Sequence, residues 1–533
     1  GQVGYRIASG MDKKDRNAYV FLDYFSGNES GTFGAVKSAT YTTRTSYWMV
    51  GATLDWTKEF GDHRINILGG WNEEVDRRNG WDDVALLSFF GKAYYSYKDK
   101  YLAEVGIRRD GSSLFGDGHK WGNFPSVAVG WNVNREPWMQ NARFIDNFKI
   151  RASYGQLGNQ NIGSNYPTIQ QLDVSSISVN DVITPIVTQT TLANPDITWE
   201  STEMYDVGID ATLFDKLSVT ADWYYKKTHD ILLTLDIPSI IGLGAPYQNA
   251  GTVRNVGWEV AVGYHNKWRD FSFGVEANLS DVVNKIIDMK GTTGGSGAIR
   301  NQEGSAINSI YGLKCVGMAR TQEEADWVNE NCPQYGVTTK PGDLIYADMD
   351  DSGTIDDKDM TIIGSTVPRY TYGVNLSFGW KGLNLSAFFQ GVGKVDGYLS
   401  SYYVQPCQQG GTFRKEHLDR WNETNPNGKY PRLTMTDANN WKQSSFWMRS
   451  AAYCRLKNIQ LSYTLPRTWL KKLRMKSAMV FVNAQNLFTI TDFYQGFDPE
   501  VAYSGSGDGV ELGAVAYNYP QVKVVTMGVE LKF

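Results

Sequence analysis

Apolar and polar positions alternate along most of this chain. Tyr370, Tyr372, Val374, Leu376, Phe378 and Trp380 form one such row, and beyond Lys381-Gly382 it resumes as Leu383, Leu385, Ala387 and Phe389. Successive side chains of a strand point to opposite faces, so this is a hairpin with one apolar face. The design recurs at Trp48, Val50, Ala52, Leu54 and Trp56, which pass through a Gly61-Asp62 turn into Ile65, Ile67, Gly69 and Trp71. It recurs at Gly91 to Tyr97 and Tyr101 to Ile107, joined by Lys98-Asp99-Lys100, and at Tyr205 to Leu213, turning at Asp215-Lys216 into Leu217 to Tyr225. A further pair sets Trp258 to Tyr264 against Phe271 to Leu279. The last stretch repeats it: Val525, Met527, Val529, Leu531 and Phe533 share one face, with Thr526, Gly528, Glu530 and Lys532 between them. The first forty residues are less regular, with alternation at Val3 to Ile7 and Ala18 to Tyr24 before a Gly/Ser-rich stretch at 26–34.

The polar faces decide between a dry and a wet sheet. Glu104 and Arg108 stand behind one apolar row, Asp222 and Tyr224 behind another. A dry sandwich core excludes such charges unless each is paired, whereas a watery lumen accepts them. Aromatic residues at both ends of the rows suit the headgroup depth of a membrane. Short turns at Gly61, Asp99, Asp215 and Lys381 alternate with long polar connections at 110–124, 156–199, 281–309 and 394–445. Outer-membrane barrels have short periplasmic turns and long extracellular loops. The expected fold is therefore all-β, a transmembrane antiparallel β-barrel with about 15 to 18 strands in this chain. A soluble β-protein covered by a second layer would share the alternation but not this asymmetry. A propeller or solenoid would show internal repeats, and none is found. A ring of this size is too wide for its own side chains to fill, so a plug domain and the first barrel strands are expected upstream of Gly1. Phe533, Leu531 and Val529 are expected to act as the signal read by the barrel-insertion machinery.

Composition narrows this picture. The 533 residues include 54 Gly, 31 Tyr, 23 Phe and 17 Trp, with few long apolar runs. No run approaches the roughly 20 apolar residues of a membrane helix. The net charge of -5, from 52 basic and 57 acidic residues, argues against a nucleic-acid partner. Four cysteines, Cys315, Cys332, Cys407 and Cys454, make no CxxC motif, and Cys315 with Cys332 is the bridge expected if one exists.

One stretch carries metal-binding chemistry. In the twelve residues from Asp348, the side chains of Asp348, Asp350 and Ser352 fill the first, third and fifth positions of a calcium loop. Gly353 takes the sharp turn, Thr354 offers its carbonyl, Asp356 fills the ninth position and Asp359 the twelfth, where the pattern has Glu. Oxygen ligands at this spacing suit Ca²⁺ better than Mg²⁺, which demands a tighter octahedron. The site would be structural, stiffening an extracellular loop; an acidic loop held by its own turns is the alternative. Catalysis finds no HExxH, G-x-S-x-G or P-loop, and no enzyme activity is expected. Contact with a sugar, a peptide or a covering protein is expected from the aromatic and Arg-rich loop after Lys394, at Tyr398, Tyr402, Tyr403, Arg414, Trp421 and Trp441; rings that pack the loop itself or belong to the upper girdle are the alternative.

Six segments resemble the SusC-like family of TonB-dependent outer-membrane transporters of Bacteroidetes. They are RRDGSSLFGDGHKWGNFPSVAVGW (108–131), YGQLGNQNIG (154–163), NPDITWESTEMYDVGID (194–210), DMDDSGTIDDKDMTIIG (348–364), PRYTYGVNLSFGWKGLNLSAFFQG (368–391) and NAQNLFTITDFYQGFDPE (483–500). The resemblance implies a 22-stranded barrel in the outer membrane of a Gram-negative cell, an N-terminal plug, a TonB-contacting segment and a SusD-like lipoprotein lid. It implies import of an oligosaccharide or oligopeptide, with residues 1–533 forming the C-terminal part of the barrel. A passive pore or a surface adhesin built on the same loops is the rival expectation.

Overall fold

The computed structural model describes residues 2–16, 19–22, 29–33, 37–78, 82–161, 166–170, 172–179, 182–234, 237–295, 297–399, 405–407, 413–435, 439–472, 475–501, 504–506, 509–511 and 521–533. Sixteen strands form one sheet whose spatial order follows the chain. They are β1 (Gln2–Arg16), β2 (Lys37–Phe60), β3 (His63–Arg78), β4 (Asp82–Tyr97), β5 (Tyr101–Ser112) and β6 (Trp121–Asn132). Next come β7 (Ile145–Asn159), β8 (Glu200–Leu213), β9 (Leu217–Thr234), β10 (Tyr247–Trp268) and β11 (Phe271–Asp288). The last are β12 (Arg369–Trp380), β13 (Leu383–Lys394), β14 (Tyr453–Thr464), β15 (Ser477–Thr491) and β16 (Val524–Lys532). The expected turns are present: Phe60 pairs with His63, Tyr97 with Tyr101, Trp268 with Phe271 and Trp380 with Leu383. β2 has 24 residues, more than twice the roughly 9–11 that a tilted strand needs to cross a bilayer. Such strands carry the sheet well beyond a membrane's hydrocarbon.

The two faces are inverted relative to a soluble protein. On β5, Val105 is 52% and Ile107 56% exposed, while Asp110 is only 8% exposed. Glu104 and Arg108 point to the more sheltered side, where Lys92 lies 3.2 Å from Glu104 and Asp110 lies 2.8 Å from Arg108. Exposed aliphatic rows opposite sheltered charges are stable only where the exposed side meets lipid.

Two connections are redrawn by the structure. β5 continues to Ser112 and β11 to Asp288, past Asp110 and Asp281, where loops were expected to begin. Cross-strand or same-strand cations remove the reason to stop: Arg108 holds Asp110, and Arg369 on β12 forks onto the Asp281 carboxylate. The connection after β11 therefore spans 289–368. It folds into a three-stranded sheet, a two-stranded sheet and the helix α1 (Gln322–Asn331), capped by the Thr321 side chain on the Glu324 N–H.

The chain divides into two compact units. The first comprises 1–130, 153–203 and 229–250, and its core is Leu114, Phe115, Phe124, Ile197 and Trp199. Trp199 meets Phe115 and Phe124 at centroid distances of 5.2 and 5.5 Å and donates its indole N–H to the Lys120 carbonyl. The second comprises 131–152, 204–228 and 251–533. One of its cores gathers Ile310, Tyr398, Leu399, Trp447, Tyr453 and Tyr494; another gathers Leu313, Leu344, Tyr346 and Ile355.

Candidate functional site

In the second unit the long connections 289–368 and 395–452 fold onto each other. Asp343, 1% exposed, is their clasp. Its carboxylate meets the Arg432 guanidinium at 2.6 Å, accepts from Asn440 Nδ2 at 2.8 Å and caps the Lys340 N–H. Trp421 donates to the Arg320 carbonyl and stacks over Gly342, whose φ of +90 leaves no room for a side chain: an added Cβ would lie 2.5 Å from the indole. Sequence reasoning passed over Asp343, whose neighbours Gly342 and Leu344 read as ordinary loop.

These contacts relocate the expected cargo residues. Tyr398 is 1% exposed inside a core, so it packs the layer and offers no free face to cargo. Trp441 is half-buried with its indole on the Pro406 carbonyl, and Arg414 pairs with Glu416 at 2.8 Å and lies over the Phe497 ring. Tyr402 and Tyr403 lie outside the described residues. Tyr398 and Trp447 follow the packing alternative, because a layer built from loops must bury rings of its own to hold shape. Burial pushes the Tyr398 and Tyr494 phenols above the ordinary tyrosine value.

The acidic loop is tied together by its own hydrogen bonds. The carboxylates of Asp348, Asp350 and Asp359 offer oxygens all within 4.8 Å of one another. Asp348 accepts the Ser352 and Gly353 N–H groups, Asp350 accepts Ser352, and Gly353 adopts φ +79 as the motif requires. Asp359, fully buried, accepts the Met349 and Asp356 N–H groups. The Ser352 hydroxyl donates to the Thr354 carbonyl. Asp356 stands outside the trio, its carboxylate capping the Lys358 N–H of a 3₁₀ turn. Cys332 and Cys315 both pack on the core beneath this loop, but all four cysteines are free thiols and the bridge considered between these two is not formed. Cys315 instead donates to the Gly317 carbonyl.

Below this layer the sheltered face of the second unit is polar. A hollow of about 630 Å³ is lined by residues such as Ser218, His265, Glu276, Asn375, Ser386 and Asn458. Further along, Arg151 on β7 meets Asp206, Asp210 and Asp222 at 3.2, 3.1 and 2.5 Å. Asp222 was expected on this face; Arg151 was not named, although Ile150 and Ala152 flanking it carry the alternation.

A β-sheet with lipid-type residues outside, a wet polar face inside and an ordered layer of long loops defines an outer-membrane β-barrel protein. The family model described as TonB dependent receptor-like, beta-barrel, matches residues 2–487, and the chain belongs to that family. It is 30% identical over 531 residues to TonB-dependent receptor P3 of Formosa agariphila, covering 90% of this chain and 52% of that protein. It is 24% identical over 512 residues to TonB-dependent receptor SusC of Bacteroides thetaiotaomicron, covering 90% of this chain and 49% of that one. Among solved structures, the RagAB peptide transporter superposes with a TM-score of 0.78 over 100% of this chain and 59% of its own, at 22% identity. The chain thus spans about half the length of the curated relatives it matches. The SusC-like resemblance, the barrel fold and the outer-membrane location are borne out.

Proposed function

We propose that this chain is the barrel portion of a TonB-dependent importer that moves an oligopeptide or oligosaccharide across the outer membrane. The observation that carries the reading is the pairing of a polar, hollowed inner face with a rigid outer layer of folded loops, in a chain of this family. A conduit needs the first, and a docking surface for a lid needs the second. In this reading a plug closes the lumen, a TonB-contacting segment couples it to the inner membrane, and a SusD-like surface lipoprotein closes over the loops. No step of bond chemistry is assigned to it. Oligopeptide cargo has the support that RagAB, whose structure superposes well, is a peptide transporter. Deleting the gene and comparing growth on oligopeptides and on oligosaccharides tests this: loss on one class names the cargo, and undiminished growth on both rejects import. Steady conductance of the purified protein in a planar bilayer would instead favour a passive pore.

The acidic loop belongs to the same proposal as a structural Ca²⁺ site, with Asp348, Asp350 and Asp359 as carboxylate ligands and Ser352, Thr354 and Asp356 completing the set. Three carboxylates held this close repel one another, and a divalent cation would relieve that cost. Chelator should increase cleavage of the 348–359 loop in the native protein, and Asp350→Ala should do the same without chelator. Equal protease sensitivity under all conditions would remove the ion from the proposal.

A further inference from the structure

The short-turn edge of the second unit has a chemistry that transport does not use. Its connections are 133–144, 214–216, 269–270, 381–382 and 465–476, the last containing the helix α2 (Arg467–Lys472). They form one hydrogen-bonded edge. Phe214 donates to the Phe144 carbonyl, Lys381 to Asp270, Thr464 to Gly382 and Lys476 to Lys532, and the Lys216 carbonyl accepts from His265.

Two residue types recur along it. Aromatic rings stand out from the surface: Trp268 is 71% exposed and Trp469 59%, with Trp138, Phe214 and Trp380 similarly placed. Cations accompany them. Arg269 lies 5.7 Å from the Trp268 ring centre and Lys381 5.6 Å from that of Trp380. Arg143, Lys216, Arg467 and Lys476 are exposed on the same edge, and residues 467–476 contain five basic residues and no acid. Glu136, Asp215 and Asp270 belong to the same connections, so the excess is local, not absolute. Of the long connections, 289–368 carries twelve acidic and six basic residues, and 395–452 carries five acidic and seven basic.

Two of these rings continue the exposed apolar rows of their strands. Trp380 follows Phe378 and Leu376 on β12, and Trp268 follows Val262 on β10, all on the exposed side. Arg269 and Lys381 therefore sit just beyond rings that mark the edge of the hydrocarbon, at the depth of lipid phosphates, and Lys216 and Lys476 lie on the same edge. We propose that this rim binds the phosphate groups of anionic phospholipids in the periplasmic leaflet and retains them as annular lipid. The proposal rests on the outer-membrane barrel and is independent of what the barrel imports.

The test uses the transporter carrying this chain, reconstituted in nanodiscs of phosphatidylethanolamine with phosphatidylglycerol, and native mass spectrometry to count retained phosphatidylglycerol. Each cation near an anionic surface is worth about fivefold in lipid affinity at low salt, so a K216Q/R269Q/K381Q/K476Q variant should retain at least about tenfold less. A K216R/R269K/K381R/K476R variant should retain as much as the parent. Raising salt from about 50 mM to about 500 mM should strip phosphatidylglycerol from the parent, because exposed charges are screened. Equal retention by the charge-removed variant, or retention by the parent that ignores salt, would overturn the proposal. The salt series on the parent decides it even if the charge-removed variant fails to insert. A growth defect on cargo without a change in retained lipid would concern the import reading alone.

Discussion

At the scale of single residues, the largest energies sit where a charge is buried with its partner. Asp343 has almost no contact with water and holds Arg432, Asn440 and the Lys340 backbone together. Removing one member of a buried pair leaves the other uncompensated, at a cost of about 3–5 kcal/mol. Asp343→Ala is therefore expected to loosen the layer of long connections while sparing the sheet, seen as new protease cleavage within 289–368 and 395–452 with unchanged β-sheet circular dichroism. The buried phenols give a second expectation. Desolvation disfavours phenolate, so the folded-state values of Tyr398 and Tyr494 lie above the ordinary value of 10.0. The stability they contribute is whole below pH 10 and is lost as pH rises through the raised values. Spectroscopic titration should find both tyrosines silent until the layer opens in strong alkali, and Tyr398→Phe should delay that opening. Ionisation of all tyrosines near pH 10 with the layer intact would contradict the burial.

At the scale of elements, the sheet tests its own orientation. Val529 lies in β16 with its side chain 61% exposed, between the equally apolar Met527 and Leu531. Arginine on a lipid-facing midplane position costs about 2–4 kcal/mol, while a lumen-facing position tolerates it. Val529→Arg should lower the amount of heat-modifiable, membrane-inserted protein, and Thr526→Arg on the other face should not. The same period explains which strands were legible. Hairpins such as 370–389 carried alternation, aromatic ends and a Lys-Gly turn together; the first strand and the turn appear within a residue of their reading, while the second runs on from Phe389 to Lys394. The ends of β5 and β11 were not legible, because Asp110 and Asp281 look like loop residues until Arg108 and Arg369 are seen beside them. In the calcium-type loop Gly353 sits at the bend, as the motif has it, while Asp356 is turned to a backbone cap that the motif does not encode.

At the scale of the molecule, charge is unevenly spread: connection 289–368 is acidic, and the short turns of the second unit are basic. For a plugged importer, single-channel recording should show a closed baseline at moderate voltage, and partial denaturation of the plug should open a large cation-preferring conductance. A constant open level in untreated protein would end the plugged-importer reading.

The sequence by itself determined the period-two faces, the lipid side, the alternation of short turns with long connections and the family. These follow from local rules: which side a residue points to depends only on its parity along a strand, and a turn announces itself with Gly, Asp and Lys. Only the tertiary structure decided what the long connections do. Tyr398 and Trp447 became core, Asp343 became a clasp and Arg151 gathered three aspartates, because each depends on partners tens of residues away. Burial and ion pairing are properties of the folded ensemble of contacts, and no periodicity in the chain records them.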